Sequence, residues 1–431
     1  MTTKVTDQTS EQWLRRAAEL DAADELAPFR DKFFFPKHSN GSALYFCGNS
    51  LGLQPKTAQT YIAEELEDWR DFAVEGHFLS RRPWYSYHQW FAEPLAMVVG
   101  AKPHEVVPMN TLTVNLHLMM ASFYMPTPER YKVMIVQKEF PSDRYAVETH
   151  LRFRGYDPDE AMVEVGPANG EFASPDDILD GIRAHGSSLA LVLISGVHFY
   201  NGSRADMESI TRVAHEVGAT VGFDLAHAVG NVELNLHDWD VDFAVWCSYK
   251  YLNSGPGSVG GVFVHERFAD TPTLNRLAGW WGNEESTRFD LAEKFRPSYG
   301  TSGWQLSNAQ VLPLAAMRAS LEIFVEAGMH RIFHKRDALT GFLEEIINQI
   351  GNDYSWMRII TPNEKRQRGA QLSVRFDEHG KDVYNDLLER GCIVDWRTPD
   401  VIRISPAPLY NSFRDVAEFG SIFTEVLSRY Q

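Results

Sequence analysis

The chain is poor in cysteine, in long apolar runs and in positive charge, and each shortage excludes something. Its 431 residues include three cysteines, Cys47, Cys247 and Cys392. The number is odd, the spacing is wide and no pair has metal-ligand spacing, so neither a disulfide framework nor a metal site is expected. No stretch of about 18 apolar residues is present, which argues against a membrane-spanning helix. The polar start, Met1-Thr2-Thr3-Lys4-Val5-Thr6-Asp7-Gln8, lacks the apolar centre of a secretory signal. Lysine and arginine total 41 against 58 aspartates and glutamates, a formal net charge of -17. Phosphate backbones are held by Lys and Arg clusters, and none stands out here, so nucleic acid is not an expected partner. The acidity reads as solubility. Internal repeats and low-complexity segments are also missing. These absences leave a reduced, cytoplasmic enzyme acting on a small molecule, with no membrane partner.

Composition allows a large folded chain. Hydrophobic residues make up 44% and charged residues 23%, ordinary globular values that permit one large core or two. Apolar segments at 132–137, 189–195, 220–225 and 243–248 read as strands, and 176–184 and 207–217 read as helices between them. That alternation predicts an α/β fold with a mostly parallel sheet covered on both faces. A further helix opens at Asn110-Thr111, with Leu112, Leu116, Met119, Met120 and Phe123 on one face. Helices are also expected at 10–26 and from Pro55 to Trp69. After Gly303 the pattern changes: helices at 307–327 and 330–350 precede short strands at 371–376, 392–396 and 401–405 around a helix at 381–389. This predicts a smaller α+β domain. The expected division is 1–75, packing with the small domain, 76–305, the large domain, and 306–431, the small domain.

Lys250 carries the most chemical information. The apolar stretch from Val241 to Cys247 delivers it to a glycine-rich loop, Asn253-Ser254-Gly255-Pro256-Gly257. In an apolar, partly desolvated setting an ammonium is disfavoured, and a free amine attacks carbonyls. Asp224 ends another apolar strand, with His227 close behind. In sheets of this kind ligands bind beyond the carboxyl ends of the strands, and Ser195, Asp224 and Lys250 all lie at or just past such ends. A Schiff-base lysine and an aspartate able to pair with a pyridinium nitrogen are parts of a pyridoxal 5'-phosphate (PLP) site.

Other positions admit two readings each. Leu112 and Thr113 begin a helix, where unpaired N–H groups favour an anion; plain capping by Asn110 or Thr111 is the alternative. Phe140-Pro141-Ser142-Asp143 is either a ring platform with a hydrogen-bonding carboxylate or an ordinary turn. Arg403, flanked by apolar residues, is either a fork for a substrate carboxylate or half of an ion pair. Asp224 and His227 with His215 would make a metal site, but His215 lies within a helical pattern. Gly255-x-Gly257-x-x-Gly260 has dinucleotide-binding spacing, yet the β-rich Gly261-Val262-Phe263-Val264-His265 follows where a helix is needed.

From about Tyr45 to Phe413 the chain resembles kynureninase. The resemblance rests on Gly48-Asn49-Ser50-Leu51-Gly52-Leu53, Met109-Asn110-Thr111-Leu112-Thr113-Val114-Asn115-Leu116-His117, Phe140-Pro141-Ser142-Asp143 and Gly196-Val197-His198-Phe199-Tyr200. It continues through Gly222-Phe223-Asp224-Leu225-Ala226-His227-Ala228-Val229-Gly230-Asn231, Cys247-Ser248-Tyr249-Lys250-Tyr251-Leu252-Asn253 and Pro408-Leu409-Tyr410-Asn411-Ser412-Phe413. It implies a type I (aspartate-aminotransferase-like) PLP fold and a homodimer with a shared active site. Lys250 would carry the cofactor, Leu112 and Thr113 would cradle its phosphate with Tyr249, and Phe140 would stack on its ring. Asp143, Ser195, Asp224 and His227 would line it, with Asp224 on the pyridine nitrogen. Trp280 and Asn308 would come from the partner subunit. Ser50 and His77 would face the substrate, and Arg403 would clamp its carboxylate. Lys250, Asp224 and Tyr249 would be the catalytic residues. Thr111 stands where some members have a smaller residue. The implied reaction is hydrolysis of L-kynurenine, or its 3-hydroxy derivative, to anthranilate, or 3-hydroxyanthranilate, and L-alanine, in tryptophan breakdown or NAD biosynthesis. Rival expectations are a cysteine desulfurase or class V aminotransferase of the same fold, and a PLP-fold protein that binds without catalysis.

Overall fold

Seven short apolar segments, scattered over the first two thirds of the sequence, become neighbours in one sheet. In the computed structural model, which describes residues 7–39, 41–290 and 293–430, they are β1 (Val106–Pro108), β2 (Lys132–Val136), β3 (Met162–Val165), β4 (Leu189–Ser195), β5 (Thr220–Asp224), β6 (Phe243–Trp246) and β7 (Gly261–Val264). The first six residues of the expected polar lead lie outside the described residues. The spatial order is β1-β7-β6-β5-β4-β2-β3. Strand β7 is antiparallel to both its neighbours, and the pairings from β6 across to β3 are all parallel. The mostly parallel sheet is therefore found.

The reason those segments read as unbroken apolar runs is visible along β4. Val192 and Ile194 enter one core, with Phe223 and Trp246, while Leu191 and Leu193 enter another on the opposite face, with Phe243 and Val245. Successive side chains of a strand point to opposite faces, so covering both faces demands apolar residues at every position. The helix Leu112–Phe123 supplies Leu116, Met119, Met120 and Phe123 to the second core. Met207–Glu216 supplies Met207, Ile210, Val213 and Ala214 to the first.

The C-terminal third builds a four-stranded antiparallel sheet from β8 (Met357–Ile359), β9 (Leu372–Phe376), β10 (Asp395–Arg397) and β11 (Val401–Ile404), in the order β8-β9-β11-β10. The helices Met329–Gly351 and Phe413–Leu427 share its core, and so does the first helix, Asp7–Ala22, through Trp13 and Ala17. Trp13 Nε1 donates to Gln349 at 2.7 Å. Phe29, Phe33 and Leu53, further along the N-terminal segment, pack instead in the core of the large sheet.

Several expected boundaries move. The helix opening expected at Asn110 begins at Leu112, because Asn110 has a φ of 51° and cannot be helical. The helix expected from 307 begins at Val311. The strand expected at 392–396 divides: Cys392–Ile393 pairs in parallel with Leu44–Tyr45, while Asp395–Arg397 belongs to the small sheet. One apolar run thus serves two sheets. Strands β1 and β3 have no expected counterpart; four residues, one of them the charged Glu164, give β3 no periodicity to detect. No helix among the described residues is long and apolar enough to cross a membrane.

Candidate active site

Strand ends collect the candidate residues. Ser195 closes β4 and Asp224 closes β5, and the two are direct partners in the sheet register. Beyond β6 the chain leaves the ladder at Trp246 and reaches the half-buried Lys250 in the loop that follows. Gly255 and Gly257, with φ of 92° and 68°, turn this loop back into β7. The glycine spacing therefore makes a turn before a strand and not a dinucleotide loop. Ser248 Oγ ties the loop to the Val259 carbonyl at 2.5 Å. From the N-terminal side, the Gly48–Gly52 turn docks on it: Gly52 N donates to the Tyr249 carbonyl at 2.8 Å. A Cβ on Gly52 would lie 2.5 Å from the Lys250 carbonyl oxygen, so only glycine permits this approach. Ser50, half-buried, is held in the same turn by its N–H to the Cys47 carbonyl at 2.9 Å.

Three acids crowd the crevice. Asp224 is 6% exposed and accepts from Ala226 N at 2.7 Å. Asp143 is also buried and hydrogen-bonds Asp224. Burial, then the neighbouring Asp224 and Glu139 carboxylates, push the Asp143 carboxyl well above the usual range. Burial raises Asp224 too, but the hydrogen bond from Asp143, the Lys250 ammonium and the Ala226 amide oppose it. Burial thus raises both carboxyls, with Lys250 and the Ala226 amide holding Asp224 back. His227, buried beside them, is pushed well below its ordinary value by burial and by Lys250, so its imidazole is neutral. Burial raises the Tyr249 phenol, whose hydroxyl is hydrogen-bonded to Cys247.

Opposite the acids lies a cradle for an anion. Thr111 sits at the N-cap of Leu112–Phe123 without a side-chain cap. The Asn110 amide turns to Asn115 Oδ1 at 3.0 Å. Both capping alternatives are thereby removed, and the amides of Leu112 and Thr113 are left for a ligand. Thr113 Oγ1 meets Ser142 Oγ at 3.1 Å, which joins this helix end to that of Pro141–Phe153. The expected turn at Phe140–Asp143 is the N-terminus of that helix, with Phe140 at its N-cap. Phe140 is 39% exposed and set edge-on to Phe199 at 5.2 Å. Asp143 Oδ1 and His227 Nδ1 are buried without partners. An anion cradle, an exposed ring face, an amine and orphaned polar atoms in one crevice fit PLP.

Arg403 is 1% exposed. Its Nη1 donates to the Phe199 carbonyl at 2.7 Å, and its Nε to Asp395 at 3.1 Å. Its Nη2 lies 2.9 Å from Asp395 but has no well-directed acceptor. Arg403 is thus half of an ion pair, with its Nη2 lacking a hydrogen-bond partner. His77, Trp280 and Asn308 are not brought to the crevice within the chain. His77 bonds the Val74 carbonyl at 3.0 Å and packs against Trp84. Trp280, 51% exposed, donates to the Arg288 carbonyl and packs on Trp281 and Phe289. Asn308 is exposed. His215 lies apart from Asp224 and His227, with Nε2 2.9 Å from Asp242. Glu139, whose carboxylate holds Ser195, was not among the sequence candidates. An isolated acid before Phe140 carries no spacing signal.

Comparison with known proteins follows the same line. A family model described as the kynureninase C-terminal domain matches residues 332–423. The kynureninase of Flavobacterium psychrophilum is 48% identical over 95% of this chain and 97% of its own. That of Myxococcus xanthus is 51% identical over 97% and 98%. Among solved structures, the cysteine desulfurase of Thermococcus onnurineus has a TM-score of 0.72 at 19% identity, covering 90% of this chain and 95% of its own. The CsdA desulfurase of Escherichia coli has a TM-score of 0.72 at 17% identity, covering 94% and 98%. Those structures show the type I PLP fold alone. The sequence relationship reaches further: the chain belongs to the kynureninase family.

Proposed function

We propose that the chain hydrolyses L-kynurenine, or its 3-hydroxy derivative, to the anthranilate and L-alanine, as a PLP enzyme of tryptophan breakdown. One observation carries this reading: an amine, Lys250, and a buried carboxyl, Asp224, at adjacent strand ends beside an anion cradle. Bound PLP supplies an electron-withdrawing pyridine conjugated to the substrate α-carbon.

The residues divide the remaining work. Lys250 would hold the cofactor through its amine, and the same amine, when free, would take the α-proton as a general base. Asp224 would pair with the ring nitrogen and hold its proton, with Asp143 beside it. Thr113 and the amides at 112 and 113 bind the phosphate. Phe140 presents its ring to the ring of the cofactor. Tyr249, whose phenol stays protonated, donates to the carbon released on the alanine side. Arg403 binds the substrate carboxylate, with Asp395 turning toward Arg397, already 3.0 Å away. Fluorescent anthranilate and L-alanine in equal amounts from kynurenine test the function; sulfide or a keto acid in their place rejects it. A desulfurase needs an accessible nucleophilic thiol. All three cysteines are buried, and burial pushes Cys47 and Cys392 up to about 12.

Replacing Arg403 by Ala removes two charge-assisted hydrogen bonds at about 1.5 kcal/mol or more each. KM is expected to rise roughly 100-fold while the visible band of the cofactor remains. Loss of cofactor with KM unchanged would show that Arg403 serves the fold instead.

The proposed assembly is a homodimer in which Trp280 and Asn308 enter the partner's crevice. Support comes from exposed aromatic surface around them: Phe78 and Phe289, both more than half exposed, flank Tyr85 at 5.7 Å each. Mixing inactive Lys250→Ala with inactive Asn308→Ala is expected to restore activity, because hybrid dimers contain one intact site. No recovery after subunit exchange would place both residues in one subunit's site. Three unpaired cysteines support a reducing compartment, for which the cytoplasm is proposed.

A further inference from the structure

Glu139 lies between β2 and the helix Pro141–Phe153, just ahead of Phe140. It is 7% exposed, and its carboxylate collects three donors. Oε1 accepts from Ser195 Oγ at 2.5 Å and from Phe140 N at 3.0 Å, and Oε2 accepts from Ser195 N at 3.1 Å. The same carboxylate thus grips both the backbone and the hydroxyl of the residue paired with Asp224 in the sheet.

The consequence follows from hydrogen-bond valence. An ionised carboxylate only accepts, and a serine hydroxyl has a single proton. With that proton committed to Glu139, Ser195 Oγ can offer the crevice lone pairs alone. We propose that Glu139 is a positioning residue that fixes Ser195 as an acceptor, so that the edge of the cofactor meeting Ser195 must bring the proton. A glutamine there has one acceptor oxygen for the three donors; with its amide nitrogen at the Oε1 position it donates to Ser195 Oγ and frees the hydroxyl proton to point into the crevice, whereas alanine frees that proton outright. The inference rests on the reading of the crevice as the cofactor site.

The rival explanation is through-space charge. Asp143, Asp224 and His198 all lie within electrostatic reach of Glu139, and Lys250 faces the two aspartates. Loss of its charge would act on them whether or not Ser195 has a hydroxyl. A double-mutant comparison separates the two. The visible band of bound PLP is titrated with pH in the holoenzyme, in Glu139→Gln, in Ser195→Ala and in the double variant. Glu139→Gln is expected to move the midpoint by about one pH unit and to weaken PLP binding roughly tenfold. Both effects should vanish in the Ser195→Ala background. Effects that persist undiminished there, or no effect in both Glu139→Gln and Glu139→Ala, overturn the proposal. Absence of any visible band in the unaltered enzyme overturns the cofactor reading itself, which keeps the two failures distinct.

Should Glu139→Gln fail to retain cofactor, Glu139→Ala carries the test. Glu139 and Ser195 both line a cavity of about 390 Å3, with His198, Ser203 and Ala205. Formate entering it can replace the missing carboxylate. Formate is expected to return the midpoint of Glu139→Ala toward that of the unaltered enzyme and to leave Ser195→Ala unmoved. A midpoint in Glu139→Ala indifferent to formate overturns the proposal.

Discussion

Lys250→Ala is expected to yield a folded protein that lacks the visible band of lysine-linked PLP and turns over kynurenine at least about 10⁴-fold more slowly. The argument is positional. Lys250 is the amine carried to the crevice by the loop that leaves β6, and both faces of that loop are occupied. Ser248 secures it to Val259, and Gly52 rests on Tyr249. Among the described residues no other lysine is tied into this loop, so none is placed to take over. The backbone constraints do not involve the Nζ atom, so the fold should survive with an unchanged circular dichroism spectrum. An unaltered absorption spectrum in the variant would mean that the cofactor is attached elsewhere.

Asp224→Ala should be nearly as damaging for a different reason. The carboxylate is buried and receives the Ala226 amide at 2.7 Å. A low-dielectric setting makes its attraction for a ring N–H strong. Removing it is expected to raise the barrier by about 3–5 kcal/mol, or roughly 10²- to 10⁴-fold in kcat. PLP should still bind, since Lys250, Thr113 and the helix amides are intact. Turnover close to that of the unaltered enzyme, with cofactor bound, would remove Asp224 from this role.

Much of this arrangement is legible in the amino acids, and the reasons are specific. Strands buried on both faces announce themselves as runs such as Leu189–Ser195, and their C-terminal residues are then candidates by position alone. Ser195 and Asp224 were accessible that way. The cradle at Leu112 was ambiguous because Asn110 and Thr111 are good capping residues; only the left-handed turn at Asn110 and its bond to Asn115 decide against them. Arg403 admits two roles in the sequence, and the structure displays the ion pair with Asp395. Glu139 was illegible because its meaning depends on Ser195, 56 positions away. Trp280, Asn308 and His77 came only from family resemblance. Their contacts within one chain give no sign of the crevice, and the subunit-mixing experiment tests the proposed place of Trp280 and Asn308 in the partner's site.

The divided segment from Cys392 to Arg397 has a mechanical consequence. At its beginning, Ile393 is laddered to Tyr45, and its carbonyl receives the Phe46 N–H at 2.9 Å, directly before the turn that rests on the lysine loop. At its end, Asp395 grips Arg403. A few residues therefore join, in one covalent piece of chain, the Arg403 guanidinium to the backbone that leads into the turn on the lysine loop, so neither can be repositioned without regard to the other.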